Sequence, residues 1–172
     1  MRRIVYGMAV SLDGFMEGPH GETDWMSYDA SQDPGEYIKP FDTFLMGRKT
    51  YQAMRRMGTG GNAFKGIKNY VFSNSMDDVA EGFQLVKGDG VAVIDHIKRA
   101  DGKDMAVYGG AVLGCSLINA GMLDEVVVSI QSILLGNGNP MFQNIKKRTL
   151  MKLVKTKRGT RGVILHYQVV NG

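Results

Sequence analysis

The sequence predicts an α/β fold with one central, mostly parallel sheet. Between residues 3 and 130, short apolar segments rich in β-branched residues alternate with helical segments, a pattern that requires crossovers between parallel strands. Two of these strands end at glycines that open a helix. From Leu150 the pattern changes to two alternating segments joined by a basic turn, which is typical of an antiparallel hairpin.

Each element follows from its local pattern. Arg3 to Ser11 reads as a buried first strand, Asp13-Gly14 as a turn, and residues 15–40 as a long irregular loop of the kind that is often functional. Further strands are predicted at 41–47, 68–73, 83–86, 104–108 and 125–130, with helices at 49–57, 90–100 and 111–120. The hairpin strands at 150–156 and 163–170 bring the sheet to about eight strands.

Length and composition predict one domain that spans residues 1–172, since 172 residues with 44% hydrophobic content can enclose one core. No stretch approaches the roughly 20 apolar residues of a membrane span, so we expect a cytoplasmic protein without a membrane partner. Cys115 is the single cysteine and lies in an apolar helix. We expect it to be buried and inert, and it excludes an internal disulfide.

The net charge of +4 raises the question of whether the protein binds nucleic acid. Much of the positive charge lies between Lys146 and Arg161, where basic residues alternate with Leu150, Leu153 and other apolar residues. That alternation favours the solvent face of a hairpin, with a nucleic-acid-binding face as the alternative. Because aromatic residues do not interleave with these lysines, no nucleic-acid partner is expected.

The segment from Met46 to Tyr51 has the pattern of a phosphate site. Gly47 ends a strand, and Arg48, Lys49 and Thr50 occupy the first turn of the next helix. Free N–H groups and the helix dipole attract anions there, and an arginine can hold a phosphate with two hydrogen bonds. A turn with two solvated charges explains the segment equally well.

Two other strand ends could contribute to the same site. Tyr108-Gly109-Gly110-Ala111 again joins a strand to a helix through glycines, which permit close backbone approach beside a pyrophosphate. Ser73-Asn74-Ser75 offers hydroxyl and amide groups suited to a ribose, although an ordinary turn uses the same residues. Open α/β sheets bind ligands at this edge.

Other classes of site lack support in the sequence. Neither glycine turn has the spacing of a Rossmann dinucleotide site or of a nucleotide-hydrolysing loop. The three histidines, His20, His96 and His166, are scattered among different predicted elements without ligand spacing, so no metal is expected.

Taken in order, these motifs resemble the dihydrofolate reductase-like superfamily, and most closely the reductase domain of bacterial riboflavin biosynthesis. The resemblance covers nearly the whole chain and also includes residues 9–14, 124–125, 135–138 and 140–142. It implies a three-layer α/β/α dihydrofolate reductase-like fold. It also implies an NADPH-dependent reductase similar to 5-amino-6-(5-phosphoribosylamino)uracil reductase and dihydrofolate reductase, acting on a small carbonyl, imine or pterin- or pyrimidine-like substrate.

The resemblance also implies roles for individual residues. NADPH would meet the backbone of Ala9, a phosphate cradle at residues 47–50 in which Arg48 favours the 2′-phosphate, and a ribose contact at residues 73–75. The turn at residues 108–113 would complete the cofactor site, with Gly109 and Gly110 joined by a cis peptide bond. The candidate cofactor residues are Ala9, Gly47, Arg48, Lys49, Thr50, Ser73, Asn74, Ser75, Tyr108, Gly109, Gly110, Ala111, Val112 and Leu113.

The resemblance implies fewer residues for the substrate site than for the cofactor site. Gly14, Trp25 and Phe44 would contact substrate, and Asp13 would orient a substrate hydroxyl or amine, although a turn aspartate explains Asp13 equally well. Asp29 follows Trp25 one residue short of the acid spacing in dihydrofolate reductases, and is the second catalytic candidate. A homodimer is expected, since members of the family commonly pair through C-terminal strands. The alternative is a nucleotide-binding or interaction protein without catalysis.

Overall fold

The computed structural model describes residues 1–26, 37–58, 64 and 66–170. The strands are β1 (Ile4–Ser11), β2 (Phe15–Glu17), β3 (Phe41–Gly47), β4 (Lys68–Phe72), β5 (Phe83–Val86), β6 (Asp104–Tyr108), β7 (Glu125–Gln131), β8 (Asn139–Pro140), β9 (Met151–Gly159) and β10 (Gly162–Val169). The helices are α1 (Arg48–Arg56), α2 (Gly90–Arg99) and α3 (Ala111–Asn119). They are nine or ten residues long, and none within the described ranges combines the length and hydrophobicity of a membrane span.

Eight strands form the central sheet in the order β5-β4-β3-β6-β1-β7-β10-β9. The pairings among β1, β3, β4, β5, β6 and β7 are all parallel, whereas β10 lies antiparallel to both β7 and β9. The predicted α/β class, the mostly parallel sheet of eight strands and the C-terminal hairpin are confirmed.

Apolar side chains on the two faces of this sheet form two separate cores. On one face Ile4, Tyr6 and Val107 pack with Ile94 of α2 and Leu117 of α3. On the other face Val5, Phe44 and Val71 of the strands pack with Tyr51 and Met54 of α1. Helices therefore cover both faces, as a three-layer arrangement requires.

One strand of a small second sheet, β2, lies within the region predicted as an irregular loop. Here β2 pairs antiparallel with β8, so that Phe15 lies opposite Pro140 and Glu17 opposite Asn139. The Asn139 side chain also donates to Glu17 Oε1 at 2.7 Å. The chain directly after β1 is thereby tied to the segment that follows β7.

Charged side chains hold the amino edge of the sheet. The buried Arg2 guanidinium donates to the Asp42 carboxylate and to Thr43 Oγ1, the latter at 2.6 Å. Arg3 Nε donates to Asp104 Oδ2 at 2.9 Å. This edge lies at the opposite ends of the parallel strands from the glycine turns.

Candidate functional site

The two glycine turns lie side by side at the carboxyl edge of the sheet. Leu45 of β3 pairs with Val107 of β6, so Gly47 and Gly109 end neighbouring strands at the same level. A Cβ atom built on Gly110 would lie 3.7 Å from both Gly47 N and Thr50 Oγ1. The N-termini of α1 and α3 therefore converge on one point, which is what a shared phosphate site requires.

The backbone of the second turn differs from the implied geometry. The described chain contains no cis peptide bond, so the Gly109–Gly110 bond is trans and that expectation was wrong. The chain instead turns through positive φ values of 72° at Gly109 and 88° at Gly110. Glycine can adopt a positive φ because it has no Cβ that would clash with the backbone. Two consecutive glycines can therefore form this turn with a trans peptide bond between them.

The residues of the first turn are placed to contact an anion. Arg48 and Lys49 are exposed, and Thr50 is half-buried with its hydroxyl toward the glycine turn. Glycine at the N-cap, Gly47 for α1, has no side chain to occupy the first free N–H groups. Those groups, the Thr50 hydroxyl and the exposed residues Arg48 and Lys49 thus all belong to the first turn of α1.

Helix α3 presents backbone rather than side chains to the carboxyl edge. Its N-cap is Gly110, Ala111 is buried and Leu113 packs against the core, while Val112 is exposed. The sequence did not predict a structural role for Gly114. A Cβ added there would lie 2.6 Å from Tyr6 Cε1. This close approach seats α3 on β1, so that the free N–H groups of α3 lie beside the end of α1.

The third predicted segment lies next along the edge and is internally bonded. The Ser73 N–H donates to Val86 O at 3.1 Å, and Gly88 N–H donates to Asn74 Oδ1 at 2.7 Å. Ser75 N–H donates to Ser73 Oγ at 3.3 Å. The segment is therefore a fixed turn beside β5, whose exposed members are Asn74 and Ser75.

Ala9 lies on the other side of the glycine turns, on a half-exposed part of the sheet. Gly7 pairs with Tyr108, and continuing that register places Ala9 level with Gly110. Gly7, Ala9, Val127, Ser129 and Ile164 occupy one face of β1, β7 and β10, and all are half-buried. Three of these residues, Gly7, Ala9 and Ser129, have small side chains or none.

A tyrosine hydroxyl lies against this floor. A Cβ built on Gly7 would lie 2.2 Å from the Tyr37 hydroxyl oxygen, so only glycine admits it. Burial and the neighbouring Tyr108 raise the pKa of Tyr37, which therefore stays a neutral hydrogen-bond donor. The sequence reading missed Tyr37 and Gly7, because their contact joins two separate parts of the chain.

Asp13 bonds to a neighbouring loop. Its Oδ1 and Oδ2 accept the N–H groups of Leu135 at 3.2 Å and Gly136 at 2.8 Å. A hydrogen bond from the Ser11 hydroxyl, together with these N–H groups, lowers the pKa of Asp13 below its ordinary value. Gly14 has φ of 89° and closes the turn by donating to Ser11 O at 2.9 Å.

The remaining residues predicted to contact or act on the substrate differ in their burial and in their contacts. Trp25 is half-buried and its Nε1 donates to Glu22 O at 3.1 Å, within its own loop. Phe44 is 2% exposed and stacks on Tyr108 with ring centroids 5.2 Å apart, so it supports that ring from behind. Asp29 lies outside the described residues.

Two further expectations concern cysteine and metals. Cys115 is buried as predicted, where its Sγ contacts Met141 O at 3.6 Å and accepts from Gln143 N at 3.4 Å. Within the described residues, no three His, Cys, Asp or Glu side chains cluster as metal ligands would.

Comparison with known proteins agrees with this geometry. The chain is 33% identical over 173 residues to the uncharacterized protein YyaP of Bacillus subtilis (strain 168), covering 95% of this chain and 92% of YyaP. The structure of a putative riboflavin biosynthesis protein from Shewanella sp. PV-4 superposes with a TM-score of 0.83 at 25% identity, covering 99% of this chain and 100% of that one.

More distant structures share the fold. A Thermotoga maritima diaminohydroxyphosphoribosylaminopyrimidine deaminase/5-amino-6-(5-phosphoribosylamino)uracil reductase superposes with a TM-score of 0.75 at 14% identity, covering 98% of this chain and 57% of that one. Dihydrofolate reductase from Enterococcus faecalis, complexed with NADP(H), gives 0.67 at 16% identity, covering 98% and 97%. The model of the RibD C-terminal domain family matches residues 2–165. The chain therefore belongs to the RibD C-terminal domain family.

Proposed function

We propose that this protein is an NADPH-dependent oxidoreductase that reduces a small carbonyl, imine or pterin- or pyrimidine-like substrate. The observation that carries the proposal is the convergence of two glycine-capped helix N-termini, with Arg48, Lys49 and Thr50 beside them. Such a cradle suits a pyrophosphate, because it offers the free N–H groups of two helices and no side chain at Gly110, whose Cβ would lie 3.7 Å from Gly47 N. The likeness to reductases of this family supports the same activity.

Different residues along the carboxyl edge would bind different parts of NADPH. Residues 47–50 and 108–113 would hold the phosphates, residues 73–75 would face the adenosine ribose, and Ala9 would meet the nicotinamide through its backbone. NADPH would supply the hydride for reduction of the carbonyl or imine carbon. Placing the reacting groups beside Ala9 and excluding water are the contributions of the chain.

Asp13 serves this reaction by position and not as a proton donor. Its lowered pKa keeps the carboxylate charged near neutral pH, where it can only accept hydrogen bonds. It holds the loop at residues 135–136 and can orient a substrate hydroxyl or amine. Asp29 stays the second catalytic candidate, and Trp25 and Gly14 stay the candidates for contact with the substrate.

Cofactor titration tests the proposal. NADPH binding, followed by nicotinamide fluorescence, is expected to be saturable in the wild type and tighter than NADH binding. Arg48→Ala should weaken NADPH binding by roughly 1–3 kcal/mol through loss of a charge-assisted hydrogen bond. A greater loss for NADPH than for NADH assigns Arg48 to the 2′-phosphate, and an equal loss assigns it to the pyrophosphate.

The matched control is Arg56→Ala, which removes an exposed arginine at the far end of the same helix. It should leave both affinities unchanged. If the wild type binds neither nucleotide, the proposal is wrong. If it binds NADPH but reduces no carbonyl, pteridine or ribitylaminopyrimidine, the alternative of a nucleotide-binding protein without catalysis is favoured.

A further inference from the structure

The hydroxyl of Tyr37 lies on the sheet face that carries Ala9. Gly7 and Ala9 are two residues apart on β1, so they share a face of the sheet and lie about 7 Å apart along the strand. The Tyr37 oxygen occupies the space in which a side chain of Gly7 would stand. The phenol therefore ends one side-chain position away from the residue proposed to meet the nicotinamide.

Neighbouring side chains hold the phenol in this place. The Tyr37 ring makes an edge contact with the ring of Phe41, with centroids 6.3 Å apart, and Phe41 belongs to the core on the same face. Ile38, the next residue, packs against that core as well. Tyr37 is nevertheless 53% exposed, so a ligand can reach it. A donor that is both anchored and accessible needs little ordering when it binds a ligand.

The Tyr37 hydroxyl is free to donate a hydrogen bond. Among the residues that the structure describes, none is its hydrogen-bond partner. Because burial and Tyr108 raise the pKa of Tyr37, the oxygen keeps its proton at neutral pH. A protonated phenol can donate to a carbonyl oxygen or to an imine nitrogen.

Ser129 carries another hydroxyl on this face, and it is partly satisfied. Ser129 pairs with Ala9 across the neighbouring strand, and its Oγ accepts from Gln131 Nε2 at 2.9 Å. A phenol is also the more acidic donor of the two. Tyr37 is therefore better suited than Ser129 to hold a substrate by its reducible group.

The position of Tyr37 along β1 also fits that role. The glycine turns lie at the carboxyl edge, so a nicotinamide that extends from the proposed phosphate site would reach Ala9 from this edge. Gly7 lies two residues further from the edge and pairs with Tyr108, the residue before the second turn. A substrate beside the nicotinamide would meet the Tyr37 hydroxyl there.

We infer that the Tyr37 hydroxyl donates a hydrogen bond to the carbonyl oxygen or imine nitrogen of the substrate. The inference rests on the proposed function and adds to it the residue that binds the reducible group. Such a bond orients that group and stabilises the negative charge that develops on the oxygen or nitrogen during reduction.

The test uses two neutral probes, cyclohexanone and uracil, each isotope-labelled at a carbonyl carbon. NMR titration follows the carbonyl signal of the probe in the NADP⁺-loaded protein, where no hydride is present to consume it. Binding to the wild type should move this signal downfield, as a donated hydrogen bond does. Tyr37→Phe keeps the ring and removes the donor, so it should weaken binding about three- to tenfold and return the signal of the bound probe toward its free position.

Gly7→Ala is a second variant, because its Cβ would displace the Tyr37 oxygen while the hydroxyl stays in the protein. It should change the carbonyl signal as Tyr37→Phe does. The matched control is Tyr167→Phe, which removes a phenol that packs against the core on the opposite face of the sheet. This control should leave both the affinity and the signal unchanged.

The inference is overturned if Tyr37→Phe or Gly7→Ala binds the probe with the affinity and carbonyl signal of the wild type. It is also overturned if neither probe binds the wild type, or if the signal changes in Ser129→Ala and not in Tyr37→Phe. If the protein binds no nucleotide but the carbonyl signal of a bound probe still depends on Tyr37, only the proposed function fails.

Discussion

Gly109 is the residue at which the backbone conformation and the proposed cofactor binding depend on one missing atom. A Cβ there would lie 2.9 Å from Thr50 Oγ1 and 3.0 Å from Thr50 Cγ2, and the backbone has φ of 72°. Gly109→Ala is therefore expected to lower the free energy of unfolding by about 1–2 kcal/mol and to displace Thr50. NADPH affinity, measured by fluorescence, should fall with it.

Gly121→Ala is the matched comparison for that variant. Gly121 has φ of 67° and open space where its Cβ would lie, so this substitution introduces backbone strain alone. It should lower stability in urea unfolding to a similar extent and leave NADPH binding intact. Equal loss of NADPH binding in both variants would mean that Gly109 acts only through stability.

The convergence of the two glycine turns in the candidate site could be predicted from the sequence, because a glycine before a helix has a local physical meaning. Gly47 and Gly110 each precede a helix, and the first N–H groups of that helix are free whatever the order of the strands in the sheet. Because the strands are parallel, both turns then lie at one edge of the sheet. The contact of Tyr37 with Gly7 and the bonds from Asp13 to residues 135–136 had no such local signal. They depend on tertiary packing, as does the trans Gly109–Gly110 bond.

At the scale of the elements, short strands escaped prediction while long ones did not. The predicted strand at 41–47 and the strands at 83–86 and 104–108 match the structure, since each is a buried β-branched or aromatic run. β2 and β8 have three and two residues and pair across more than 120 positions. Segments of that length carry no periodicity.

The ion pair between Asp42 of β3 and Arg2 predicts a pH-dependent stability. Although burial alone would raise it, hydrogen bonds from the Thr43 hydroxyl and the Lys103 N–H, with the charge of Arg2, keep the pKa of Asp42 below its ordinary value. A lowered pKa in the folded state stabilises the fold above about pH 3.9, the unfolded value, and that contribution disappears as pH falls through the folded pKa.

Asp42→Asn should therefore destabilise the protein at pH 7, and the difference from the wild type should shrink in acid below about pH 3.9. Chemical unfolding followed by circular dichroism at several pH values measures this difference. Asp78→Asn, at an exposed aspartate, is the control and should give no such trend. A difference that is constant with pH would show that Asp42 contributes by packing rather than charge.

At the scale of the whole molecule, the edge strand β9 of the central sheet is a candidate surface for association of two copies. Nearly every residue of this strand is exposed, including Leu153 at 47% and Val154 at 49%, so both of its faces are open. We propose that a second copy covers this hairpin to form a homodimer. Light scattering of the purified protein should give twice the chain mass.

Leu153→Glu combined with Val154→Glu should convert that dimer to a monomer, because the interface would have to desolvate two carboxylates. Met57→Glu, at an exposed apolar residue beyond α1, should leave the mass unchanged. A wild-type protein that scatters as a single chain at high concentration contradicts the dimer.

The ion pairs of Arg2 and Arg3 lie at the amino edge, whereas the turns proposed to bind a ligand lie at the carboxyl edge. The groups that secure strand pairing are thus separated by the length of a strand from the groups that select a ligand. Substitutions at the carboxyl edge can therefore be chosen without breaking the ion pairs at the amino edge, which makes the scaffold suited to laboratory evolution of ligand specificity.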